Sequence, residues 1–346
     1  MRRILLTVIF YFFACGISAQ NITDARVNVS IVTDEADAVL HILEKKEAAV
    51  EITGEDWQRV FSSEGYVRLK KRELSMNRPF AEEDFKAFVL SEKLAPNRRA
   101  LTGTLAKWKT ADIQKVAALP LAYLPSNAVI QAKIYPVIKP RDNSFVFDIP
   151  NDPAIFFYLD PKQSREVFEN HLAHELHHIG FGTACPNAKT ESAIKKLPAN
   201  SQKVLKWIGA FGEGFAMLAA AGGTNIHPHK FSAAEDRARW DKDTANFNND
   251  LNTLGKFFLD LAGGKLSAEK ENETARSFYG VQGPWYTVGW QMAVVIEKTY
   301  GRQKLIECMC DQRKLLGTYN MALSKYNPRY SKRLQPWTKE LLGKLK

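Results

Sequence analysis

The sequence predicts an α+β fold that is predominantly helical, with a small sheet set between helical stretches. Three observations carry this. Apolar residues recur at helix-like spacing through most of the chain. One stretch after residues 120–125 instead holds three short runs rich in aromatic and β-branched residues, and Pro, Gly, Asp and Asn signals separate the segments. With 346 residues, 45% apolar and 25% charged, the chain has ordinary globular composition and length enough for a sizeable core, which excludes a disordered, collagenous or disulfide-dense miniprotein.

Taken in order, residues 1–19 hold Arg2 and Arg3, an apolar run over 4–13, and the small residues Gly16, Ser18 and Ala19, the pattern of a secretory signal cleaved after Ala19. Cys15 partly matches a lipoprotein cleavage site, an alternative that would leave a lipid anchor. The apolar run is shorter than the ~20 residues of a spanning helix, and no later segment reads as transmembrane. The expected location is extracytoplasmic, periplasmic or secreted. Processing removes two of 48 basic residues and leaves 46 against 38 acids, a net charge of +8. Those charges are scattered without interleaved aromatic platforms, so no nucleic-acid partner is expected. Cys185 is expected to pair with Cys308 or Cys310 in an oxidising compartment.

Residues 20–125 read as an N-terminal helical region, with helices over 34–46, 57–73, 80–94 and 105–118. Residues 126–223 are expected to form the core of the molecule. It begins with strands over 128–138, 144–149 and 154–159, and then offers Asp160 as an N-cap, Pro161 at the first helical position and Gln163 to complete the cap. Gly180 and Gly182 supply the expected stop of that helix. Helices are expected over 203–209 and 213–221, and residues 224–346 form a C-terminal helical region with helices over 233–262 and 288–316.

Four of the seven histidines fall within residues 170–180, NHLAHELHHIG. They include the HExxH sequence His174-Glu175-Leu176-His177-His178. At 100° per residue, His174 and His178 project within about 40° of each other, one turn apart, so both imidazoles can reach one ion. Glu175 lies on the edge of that face, where its carboxylate can meet an activated water. Phe168, Leu172, Leu176 and Ile179 form an apolar stripe on the far side. A catalytic zinc needs a third protein ligand. A third histidine six residues after His178 is excluded by Ala184. Among Glu191, Glu213, Glu235 and Asp236, Glu213 stands out as the sole charged residue between Trp207 and Gly223, a costly place for a carboxylate unless a cation neutralises it. Gly212, Gly214 and Ala216 would let its helix approach another closely.

HELHH followed by GEGFA resembles the gluzincins, thermolysin-like zinc peptidases whose third ligand is a downstream Glu. The whole chain is similar to uncharacterised bacterial families of zinc-dependent peptidases. The resemblance implies a zincin-like fold, Zn2+ held by His174, His178 and Glu213, Glu175 as general base, and peptides or proteins as substrates. Tyr286-Thr287-Val288-Gly289 resembles the Tyr-x-x-Gly of gluzincin aminopeptidases, which implies that the Tyr286 hydroxyl stabilises the oxyanion; a packing role beside Trp285 and Trp290 competes with this. The Gly-x-Met-Glu-Asn sequence of those aminopeptidases is absent, and Met217 stands where some relatives keep an acidic partner. A non-catalytic secreted zinc scaffold is the alternative.

Other residues carry weaker expectations. His171, a turn before His174, could replace Glu213 or neighbour the site. His177, about 60° from His174, is expected at the surface or in the cleft. His227 and His229 are transition-state donors or loop residues, and His41 lies on a helix surface. Phe156, Phe157 and Tyr158 belong to the sheet core or to an edge strand that aligns a peptide.

Overall fold

Alternation of Val27, Val29 and Ile31 produces strand β1 (Val27–Ile31), which the helical reading of the N-terminal region does not anticipate. Six helices follow: α1 (Asp34–Glu47), α2 (Gly54–Phe61), α3 (Glu64–Ser75), α4 (Glu82–Val89), α5 (Arg98–Lys109) and α6 (Ile113–Leu121). Two expected helices are divided. Ser63 and Asp112 accept from the amides of Tyr66 and Lys115 and start new helices at α3 and α6. The computed structural model describes residues 24–326 and 334–345; the signal segment 1–19 and Cys15 lie outside the described residues.

Strands β2 (Ile130–Val137), β3 (Phe145–Phe147) and β4 (Ala154–Tyr158) join β1 in a four-stranded sheet of order β1-β2-β4-β3. β1, β2 and β4 run parallel, with Val27 opposite Ile130 and Val137 opposite Tyr158. β3 returns antiparallel at the edge, Phe145 opposite Phe156.

Helix α7 (Arg165–Ala184) departs from expectation at both ends. The Asp160 carboxylate closes a turn on the Lys162 amide, and the cap is Ser164, which accepts from Val167. Both sites suit capping chemistry, and only one can start the helix. Gly180 and Gly182 do not stop it. A β-carbon on Gly180 would stand 2.4 Å from Leu124 Cδ1, so this glycine lets α7 lie against the chain entering β2. The helix ends at Cys185, extended because Pro186 disfavours the α conformation before it.

The rest is helical: α8 (Ala188–Lys195), α9 (Ala199–Ile208), α10 (Gly212–Ala221), α11 (Ala234–Ala245), α12 (Phe247–Ala262), α13 (Ala268–Ser277), α14 (Pro284–Tyr300), α15 (Arg302–Met309), α16 (Gln312–Lys325) and α17 (Lys339–Gly343). The expected helix 288–316 breaks at Gly301, whose φ of 84° favours glycine, and again at Cys310. Ala199–Ala221 is the one stretch among the described residues long and apolar enough to cross a membrane, and 72% of its apolar window is buried inside the fold.

One core lies between the sheet and α1, α5, α6 and α7, where Trp108 stacks on Phe168 at 4.3 Å. A second fills the C-terminal helices around Phe211, Phe258 and Trp285. α10 joins them, packing on both α7 and α14. A β-carbon on Gly214 would fall 2.1 Å from the Trp290 amide nitrogen, and one on Gly289 would fall 2.7 Å from the Phe211 carbonyl oxygen. Only glycine permits so close a crossing of α10 and α14. Of the two open disulfide pairings the structure has Cys185–Cys310, which ties the end of α7 to the end of α15, and Cys308 remains a buried free thiol.

Candidate metal centre

His174 and His178 project from one face of α7 toward Glu213 in the first turn of α10. The His174 Nε2 and His178 Nε2 atoms lie 3.0 Å apart, and Glu213 Oε2 stands 3.2 and 3.3 Å from them. Side-chain exposures of 11%, 24% and 20% leave the triangle largely buried but within reach of solvent. A divalent cation bonded at about 2.0–2.1 Å to tetrahedral ligands sets them about 3.3 Å apart, so these atoms fit zinc without rearrangement.

Electrostatics agree. Burial alone would raise the Glu213 carboxyl, but His178 and His174 hold it well below the ordinary range. Burial alone would likewise lower His178, and the Glu213 carboxylate instead pushes it up to about 9. The cluster thus holds a fixed anion with a cation beside it, and a metal can take over that positive charge. Among the described residues these three form the one group of His, Cys, Asp and Glu side chains able to hold a metal.

The His174 ring lies nearly parallel to Tyr286, 6.2 Å between centroids at 18°, and edge-on to His178 at 4.7 Å. Its buried Nδ1 has no hydrogen-bond partner, so packing orients the ring. Glu175, half-buried beside His178, adds negative potential at both His178 and Tyr286. Tyr286 sits in the first turn of α14. Burial and then Glu213 hold its phenol far above the ordinary range, a protonated donor at any physiological pH. Its half-buried ring also packs on the C-terminal core, beside Trp285, which is fully buried with Nε1 donating to the Ala275 carbonyl at 2.9 Å.

His177 is not the surface residue of one expectation, although it contributes to the lining of a hollow beside the triangle. It is 1% exposed, edge-on to Phe215 at 4.7 Å and packed on Phe181, because α10 fills the space its direction opens onto. Burial, then His178 and His174, keep it neutral, well below the ordinary histidine range. His171 lies outside the triangle, exposed, with Nδ1 3.3 Å from Gln163 Nε2. His227 pairs with Asp241 at 3.1 Å, while His41 is 3.6 Å from Asp56 at a helix surface. Phe156 and Phe157 are sheet core, and Tyr158 reaches the cleft.

Two hollows flank the triangle along α7. On the His171 side a cleft of about 840 Å3 is lined by Tyr158, Gln163, His229, Arg239, Gln282 and Tyr286. On the Phe181 side a pocket of about 300 Å3 is lined by His178, Trp207, Gly212, Glu213 and Tyr279. Sequence reasoning missed Tyr279, Gln282 and Arg239. They come from a loop and an exposed helix with no chemical spacing to mark them.

No curated protein and no solved structure matches this chain. A family model does match, over residues 39–327, which contain the whole triangle, Glu175 and Tyr286. The chain belongs to that family, which is described as "Putative zinc dependent peptidase (DUF5700)".

Proposed function

We propose that the protein is an exported metallopeptidase of the gluzincin type, with a zincin-like catalytic core, acting on peptide or protein substrates. The observation that carries this reading is the triangle of His174, His178 and Glu213, with edges of 3.0–3.3 Å, beside an acid and a protonated phenol. Zinc held by those three residues would supply a Lewis acid that polarises the scissile carbonyl and makes a water acidic. Glu175 takes the proton of the attacking water and passes it to the leaving amine. Tyr286 donates its phenolic hydrogen to the oxygen on which negative charge grows. The cleft and the pocket on either side of the triangle give an extended peptide room to run past it. The Cys185–Cys310 bridge supports an oxidising compartment, and so export.

The test is metal analysis of the purified chain together with cleavage of a broad quenched-peptide library. One zinc per chain and measurable cleavage are expected, with Glu175→Gln keeping the metal and losing about 10^2–10^4-fold in kcat. A fully zinc-loaded chain that cleaves nothing, before and after Glu175→Gln, would leave a non-catalytic zinc scaffold.

A further inference from the structure

The pocket beside Glu213 has walls from Phe181, Trp207, Ala210 and Tyr279, with Gly209 and Gly212 between them. Trp207 is held in place by its Nε1 donating to Glu271 at 2.7 Å and by stacking on Trp285. Glycine weakens a helical run and needs a reason there. At Gly214 and Gly289 the reason is the neighbouring backbone. Gly212 has no such neighbour: a β-carbon would meet nothing within 4 Å, and its φ of −52° suits any residue. At Gly209 the nearest atom would be Gln312 Nε2 at 3.9 Å. At both positions the absent side chain leaves unfilled an aromatic-walled hollow next to the proposed reacting centre.

Lys206 stands at the mouth of this hollow. It is exposed, with its ammonium 4.7 Å from the centre of the Trp207 ring. The one carboxylate lining the hollow is Glu213, already engaged by two imidazoles. Past Lys206 the surface continues into a depression of about 530 Å3 lined by Lys195, Lys203, Lys206 and Glu191, with Lys203 paired to Glu271 at 3.6 Å. An anionic group leaving the apolar hollow therefore meets a cation first and a basic surface after it.

We propose that the hollow receives an aromatic or large apolar side chain next to the scissile bond, and that Lys206 selects peptides with a carboxylate just beyond that residue. This rests on the peptidase reading above and adds its substrate class. The carboxylate can come from an acidic side chain or from the peptide's own C-terminus; the chemistry at Lys206 is the same.

The test uses the full chain and peptides with Phe or Ala at the residue flanking the cleaved bond. That residue is followed by Glu, by Gln, or by the chain end as free acid or amide. Phe is expected to exceed Ala by about tenfold or more in kcat/KM, as filling an apolar pocket does. Glu is expected to exceed Gln by about fivefold, the scale of an exposed ion pair. Gly212→Leu should collapse the Phe-to-Ala ratio, and Lys206→Glu should invert the preference of Glu over Gln. The free-acid and amide arms assign the source of the carboxylate. Calorimetric binding of the same peptides to the Glu175→Gln chain gives the ratios without turnover. If the wild-type chain cleaves nothing, the peptidase reading fails and the binding ratios still decide the pocket. A Phe-to-Ala ratio that Gly212→Leu leaves unchanged, or a Glu-to-Gln ratio near one, overturns the proposal. Lys206 is exposed, so its variants decide the charge preference even if Gly212→Leu folds poorly.

Discussion

Gly214 in α10 lies against the carbonyl oxygen of Tyr286 in α14, so closely that a β-carbon on residue 214 would stand 2.3 Å from that atom. The contact joins two neighbours of the proposed chemistry, since Glu213 precedes the glycine and Tyr286 supplies the carbonyl. The crossing of two helices thus sets how far the proposed third ligand stands from the proposed oxyanion donor.

Gly214→Ala should therefore separate α10 from α14. Helix propensity alone would favour alanine by about 1 kcal/mol, but overpacking against backbone costs about 1–3 kcal/mol or more and wins. A lower urea midpoint and weaker zinc retention are expected together. Gly212→Ala, with open space at its β-carbon, should gain slightly instead. Equal midpoints for the two variants would mean that the crossing is not tight.

Much of the site is legible in the sequence because helix geometry is local. The i, i+4 spacing puts His174 and His178 on one face, and the cost of burying a lone acid singles out Glu213. What fails is what depends on distant neighbours. The direction of His177 follows from its spacing, but that Phe215 would wait there does not. Gly180 resembles a helix stop until Leu124 and Ile130 are placed against it. Asp160 and Ser164 are equally able caps, and nothing nearby ranks them. β1 is only five residues long, too short for its alternation to outweigh the helical periods after it. The apolar pocket is assembled from α7, α9, the α9–α10 turn and Tyr279, so no contiguous pattern announces it.

Glu35 gives the fold a pH dependence unconnected with metal. It is 1% exposed, Oε2 accepts the Ile138 amide at 3.1 Å, and Oε1 has no partner. Burial pushes its carboxyl up to about 8, against the Ile138 hydrogen bond and Lys139, which lower it. A folded-state value above the unfolded one means that the native chain holds this proton more tightly. The contribution is complete below about pH 4.5 and is lost as pH rises toward about 8. Glu35→Gln keeps an acceptor for Ile138 and should remove this slope, gaining about 1–3 kcal/mol at pH 8 and little at pH 4.5. Urea midpoints at the two pH values check it, and identical pH slopes for both chains would refute the assignment.

The Cys185–Cys310 bridge closes a loop of 125 positions and fastens the end of the helix carrying His174 and His178 to the C-terminal core. Loop entropy of that length corresponds to about 4–5 kcal/mol, and measured losses run about 2–5 kcal/mol. Cys185→Ser should lower the unfolding midpoint accordingly, and reductant should have the same effect on the wild-type chain and none on the variant. Insensitivity of the wild-type midpoint to reductant, with the bridge shown broken by thiol titration, would remove it from the stabilising contacts.

Tyr286 separates binding from chemistry. Its ring faces His174, while its hydroxyl, kept protonated by burial and by Glu213, is a donor beside the proposed reacting centre. Tyr286→Phe keeps the ring, and with it the orientation of His174, and removes only the hydrogen-bond donor. Zinc content and the midpoint of unfolding should stay close to wild type, because the ring stays in place and His174 and His178 still engage Glu213 when its contact with the hydroxyl is lost. The turnover number should fall by about 10^2–10^3, the usual cost of losing one donor to a developing oxyanion, with KM moving far less. Stabilisation made only in the transition state lowers kcat in this way, whereas a substrate-positioning hydroxyl would raise KM at constant kcat. A variant that loses zinc along with activity would instead make the tyrosine a support for Glu213, and the oxyanion would then need another donor from the cleft.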